Sequence, residues 1–65
     1  MWELTVYPDG TVYAEYDGYR VNIRRVQADR QFWIRHLGQK TWVTPELVAD
    51  LLALADRVTW SDFDE

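Results

Sequence analysis

Few side chains in this chain have the types or the spacing that catalysis needs. The single histidine, His36, has no cysteine to activate, because the chain contains none, and the one serine, Ser61, lies in the terminal segment. A nucleophile needs a base within hydrogen-bond reach and a third group to orient that base. No such set is legible here. A lone histidine without neighbouring ligands does not make a zinc site either. The carboxylates are spread over turns, a helical segment and the tail, not paired as a general acid and base. The expectation is a protein that is not an enzyme and needs no metal or cofactor, with His36 as a partly buried structural residue.

The chemistry that is present is that of binding. The chain carries 4 Trp and 4 Tyr in 65 residues. Trp, Tyr and Arg dominate the energetic centres of interfaces, and exposed aromatic patches mark contact surfaces. Period-two alternation places Tyr7, Tyr13, Arg20, Arg24, Trp33, Arg35 and Trp42 on one side of a sheet, among Glu3, Thr5, Thr11, Glu15, Asn22 and Lys40. Three readings of that face follow. The first makes it a wet sheet face stabilised by cross-strand pairs such as Arg24–Trp33, Arg35–Trp42 and Glu15–Arg20. The second, which we favour, makes it a protein-binding surface, with a face-to-face homodimer as one form. The third stacks single-stranded nucleic acid on the rings, with Arg20, Arg24, Arg35 and Lys40 on phosphates; Glu3 and Glu15 within the face weigh against it.

Charge narrows the partners. A net charge of −4 disfavours general phosphate binding. Of the 11 acids, Asp50, Asp56, Asp62, Asp64 and Glu65 fall on the last helix or the tail, and Asp9, Asp17 and Asp29 in turns. An acidic face of that kind supports an alternative function as a nucleic-acid mimic, and small phage-encoded or mobile-element accessory proteins and inhibitors offer an analogy in size and charge. The tail itself, with Trp60, Asp62, Phe63 and Asp64 interleaved, has the composition of a motif for a basic apolar groove; folding of Trp60 back onto the helix end is the reading we favour. The longest apolar run, 51–55, is too short to span a bilayer. The start of the chain lacks the pattern of a signal peptide. A cytoplasmic protein without membrane contact is expected.

These residues need a scaffold to hold them. Pro8-Asp9-Gly10 and Asp17-Gly18 are strong hairpin signals, and Gly38-Gln39 a moderate one. The first pairs Tyr7 with Thr11, Val6 with Val12, Leu4 with Ala14 and Trp2 with Tyr16. The second pairs Tyr16 with Tyr19, Ala14 with Val21 and Val12 with Ile23. Both put apolar residues on the same side, and a one-residue slip would reverse every one of them. A loop over 27–30 and a turn at Gly38-Gln39 then extend the meander through strands containing Phe32, Ile34 and Val43. Thr44-Pro45-Glu46 reads as N-cap, first-turn proline and first-turn acid. The helix that follows carries Leu47, Val48, Leu51, Leu52, Leu54, Ala55 and Val58 along one arc.

The expected fold is therefore α+β: an antiparallel β-meander of four to five strands, order 1-2-3-4-5, packed in two layers on one C-terminal helix. Residues 1–58 form the domain and 59–65 an acidic-aromatic tail. A core of this size leaves only about 3–5 kcal/mol of net stability.

Overall fold

The first two hairpins form as their turn residues dictate. In a computed structural model, which describes residues 1–60 of the chain, strands β1 (Glu3–Val6), β2 (Val12–Tyr16) and β3 (Tyr19–Asn22) make an antiparallel sheet in the order β1-β2-β3. Gly10, at φ +93°, closes the first turn: its N–H donates to the Tyr7 carbonyl and the Tyr7 N–H to Thr11, each at 2.9 Å. Asp17 and Gly18, at φ 51° and 85°, supply the paired left-handed residues that suit the strand twist. The register runs Leu4↔Ala14 and Val6↔Val12, then Ala14↔Val21 and Tyr16↔Tyr19. The expected pairing holds through all of these.

Beyond Asn22 the expectation fails. The sheet has three strands, not four to five, and 23–38 is helical: α1 (Ile23–Ala28) and α2 (Arg30–Gly38) replace the predicted third and fourth hairpins. Two side chains start these helices. Asn22 Oδ1 accepts the Arg25 N–H at 3.2 Å and Asp29 Oδ1 the Phe32 N–H at 3.1 Å, each satisfying an orphan donor of a first turn. The burial pattern gives the physical reason. Alternation from Ile23 would put Arg25 on the core side and Val26 outside; at helical spacing, Ile23 and Val26 share a face and both are buried. Leu37, outward in the strand reading, is fully buried. Phe32 and Ile34, expected in the core, are exposed instead.

The last helix, α3 (Pro45–Arg57), begins as its sequence specifies, with Thr44 Oγ1 accepting the Leu47 N–H at 3.2 Å. Leu47, Leu51 and Ala55 are its buried residues. Its place differs from the expected one. Helix α1 lies against β2 and β3, and α3 packs mainly on α1 and α2. One bond ties α3 to the start of the sheet: the buried Trp2 indole donates to the Leu47 carbonyl at 2.9 Å. Residues 40–43, read as a fifth strand, form turns instead, with the Lys40 N–H donating to the Leu37 carbonyl and the Val43 N–H to that of Lys40. The α+β class stands, with the helical part larger and the sheet smaller than expected.

Trp60 is bound to this frame. Gln27, on α1, donates to the carbonyls of Ala55 (2.8 Å) and Val58 (3.0 Å) and accepts from the Trp60 indole at 2.6 Å. The C-terminal end of α3 and the start of the tail are thereby held by one amide. Asp62, Phe63 and Asp64 lie outside the described residues.

Two outcomes test this fold. Asp29→Ala removes the α2 cap and lowers stability by about 1 kcal/mol in urea unfolding; a hairpin loop at the same place would give no change. Thr11, through its backbone N–H and then its hydroxyl, holds the Asp9 carboxyl below the usual carboxylate range. A lowered carboxyl stabilises the fold above its unfolded pKa, and that contribution is lost as pH falls through the lowered value. NMR titration of the Thr11 amide should report that transition on the acid side of an ordinary aspartate, and Asp9→Ala should abolish it.

Candidate functional site

The residues expected to share one sheet face fall into separate groups. Tyr7, Tyr13 and Arg20 alone remain together on the outer face. Tyr13 pairs with Thr5 on one side and Asn22 on the other, and Arg20 stands opposite Glu15. The diagonal neighbours then meet. The Tyr7 and Tyr13 rings contact edge to face, with centroids 5.3 Å apart. The Arg20 guanidinium lies 5.4 Å from the Tyr13 centroid and 5.7 Å from that of Tyr7, and donates to the Tyr7 hydroxyl. Glu15 approaches Arg20 Nε at 3.7 Å.

Trp33 reaches the edge of this group from a different element. It sits on α2, and with Arg25 of α1 it joins Tyr13, Arg20, Val21 and Asn22 around a shallow hollow of about 330 Å³. Arg25 was missed because strict alternation assigns it to the core side. A charged residue at an expected core position was the signal that the period had changed. Around Trp33 the helical spacing brings Phe32 and His36 together, stacked at 5.3 Å and 12°, with Trp33 edge-on to both. His36 thus lies between rings, as half-buried histidines often do.

The remaining three predicted binding residues, Arg24, Arg35 and Trp42, do not join the face, nor does Lys40. Trp42 stacks on Tyr16 (5.8 Å, 10°) and meets Tyr19 edge-on at 5.4 Å, while Lys40 lies over Tyr19 at 5.1 Å. Tyr16 and Tyr19 in turn contact Trp2, so Trp42 closes one end of the core. Burial at that end pushes the Tyr19 hydroxyl above its usual value. Arg24, on α1, lies 4.0 Å over the Trp60 ring. Arg35 is exposed on α2. The expected pairs Arg24–Trp33 and Arg35–Trp42 required strands that do not exist. The cations once assigned to a single face are distributed over β3, α1, α2 and the 39–44 turns.

Among the described residues no group of three or more His, Cys, Asp or Glu is placed to hold a metal ion. No helix among them is long and apolar enough to cross a membrane. No family model, no curated protein and no solved structure matches the chain.

The geometry separates surface from scaffold by a stability contrast. Trp42→Ala removes the ring stacked on Tyr16 and edge-on to Tyr19 and costs about 1–3 kcal/mol. Arg20→Ala removes exposed cross-strand contacts and costs under about 1 kcal/mol. Urea denaturation of both variants measures the difference; equal losses would contradict these placements.

Proposed function

We propose that this protein acts by binding another protein through the outer sheet face, centred on Tyr7, Tyr13 and Arg20 and bordered by Trp33 and Arg25. The observation that carries the reading is the exposed Arg20 guanidinium, laid over two tyrosine rings and bonded to the hydroxyl of one. Held in that way, the side chain has less rotamer freedom to lose on binding, and part of its entropic cost is met before contact. A guanidinium keeps further N–H donors after bonding one hydroxyl and a distant carboxylate, so a partner carboxylate is its natural complement. The hollow beside Trp33 suits an apolar side chain next to that acid. The partner surface is thus acidic with an apolar neighbour.

The nucleic-acid reading is weaker on this geometry. Tyr7 and Tyr13 meet edge to face and offer no pair of parallel open platforms, and Arg20 has Glu15 beside it. Stacking of successive bases calls for accessible ring faces along a cationic groove.

Capture with the wild type and with Tyr13→Ala/Arg20→Ala, followed by amide-shift mapping with the captured partner, tests the proposal. The double variant should stay folded and lose at least about tenfold in affinity, a change of 1.4 kcal/mol. Shifts confined to α3, or capture unaffected by the double variant, would remove this face from the function. Tryptophan quenching by single-stranded oligonucleotides that weakens steeply with salt would favour the nucleic-acid reading instead.

A further inference from the structure

Strand β1 has a second surface that the outer face does not use. Its helix-side residues are poorly covered: Leu4 is 43% exposed and Val6 70%. Among the described residues its far edge has no neighbouring strand, because β1 is terminal in the sheet. The first hairpin fixes which backbone groups point that way. The Tyr7 N–H donates to Thr11, and the register is unbroken from Glu3↔Glu15 to Val6↔Val12. Alternation then turns Glu3, Thr5 and Tyr7 toward β2, and the N–H and C=O groups of Leu4 and Val6 outward. An open edge with apolar side chains is a template for pairing with another strand.

We propose that β1 pairs antiparallel with β1 of a second copy, about a two-fold axis at Thr5, to form a six-stranded sheet across the dimer. That axis sets Leu4 opposite Val6 of the second copy, and Val6 opposite its Leu4. Both are outward-bonding residues, so the two pairs exchange backbone hydrogen bonds, and their side chains meet on one face. An axis between residues would set Leu4 or Val6 against residues whose side chains lie on the opposite face. Moving the axis to Val6 would set Leu4 opposite Pro8, which has no N–H to give.

Charge complementarity selects the second copy as occupant and Thr5 as centre. Within one chain Glu3 faces Glu15, an unfavourable pair of like charges. In the dimer Glu3 keeps that neighbour, and about the Thr5 axis it also faces Tyr7 of the second copy, whose hydroxyl accepts from the Arg20 guanidinium, so that a cation approaches the carboxylate. An axis at Leu4 would place Glu3 opposite Thr5 and forgo that contact. The two Tyr7–Tyr13–Arg20 groups then lie on one continuous face, which makes the dimer bivalent toward the acidic partner; the pairing itself does not rest on the binding proposal. Strands of 4 residues make a small interface, below the roughly 800 Å² per partner of a standard complex, so the association is weak and concentration-dependent.

Sedimentation and amide hydrogen exchange of the full chain, from about 10 µM to about 1 mM, test the pairing over the range a small interface requires. The dimer fraction should rise with concentration, and exchange at the Leu4 and Val6 amides should slow by roughly tenfold or more in parallel. Val6→Pro removes an outward donor without touching the ladder to β2, and should leave a folded monomer. Val6→Lys, at an exposed position, should do the same should proline disturb the hairpin. Glu3→Lys should weaken the dimer while raising monomer stability, since it relieves the Glu3–Glu15 repulsion. A strict monomer at the highest concentration overturns the proposal. A dimer that survives both Val6 variants, with Leu4 and Val6 amides still exchanging fast, also overturns it and places self-association elsewhere.

Discussion

The architecture turns on the junction at Asn22–Ile23. Asn22 is at once the last residue of β3 and the cap of α1, where its side chain takes the Arg25 N–H. No linker separates sheet from helix, so α1 is laid directly back over β2 and β3. Ile23 and Val26, both fully buried, are the consequence. They occupy the position against the sheet that the C-terminal helix would otherwise fill, and α3 packs on α1 and α2. What remains uncovered follows from the same constraint. A helix of 6 residues is about 9 Å long, too short to shield a third strand, and Leu4 and Val6 are left in solvent.

A small chain without disulfides keeps such an arrangement by joining its ends to its middle. The Trp2 indole reaches the Leu47 carbonyl, and Gln27 gathers Ala55, Val58 and Trp60. Each bond is buried or half-buried and each links segments far apart in sequence. Leaving such a donor or acceptor unpaired costs about 1–3 kcal/mol, a large part of the stability expected of a domain this size. The same logic engages half the aromatic residues in contacts within the molecule, although Trp42 keeps 41% exposure. Trp2, Tyr16, Tyr19 and Trp42 form one closed cluster, and Trp60 is held between Gln27 and Arg24. Tyr7 and Tyr13 are left with Arg20 on the outer face of the sheet, bordered by Arg25 of α1 and Trp33 of α2.

The described structure therefore offers two different kinds of unused surface on one sheet. The outer face presents side-chain chemistry, rings with a guanidinium, and suits recognition of a carboxylate. The β1 edge presents backbone chemistry and aliphatic side chains, and suits pairing with an identical strand. Neither interferes with the other, because the hydrogen-bonding direction of a strand lies in the sheet plane and its side chains stand perpendicular to it. Edge pairing would keep the Tyr7–Tyr13–Arg20 contacts within each copy and set Glu3 of the second copy beside Tyr7.

The local signals were sufficient wherever the structure is itself local. Pro8-Asp9-Gly10 and Asp17-Gly18 determined two turns, and with them the registers that place Tyr7, Tyr13 and Arg20 on one face and Trp2, Ala14 and Val21 on the other. Thr44-Pro45 and the leucine spacing determined α3. The segment 23–38 was different, because its apolar residues are sparse enough to satisfy either period over short stretches. Alternation could be read through Phe32 and Ile34, whereas Val26 and Leu37 fit a helix. Only burial decides between those readings: packing Ile23, Val26 and Leu37 together against Leu51 and Ala55 keeps Arg25 out of the core, whereas unbroken alternation from Ile23 would turn Arg25 into it. That choice moved Arg24, Trp33, Arg35 and Trp42 off the sheet and left β1 uncovered, so tertiary packing alone decided which of the predicted residues stand together.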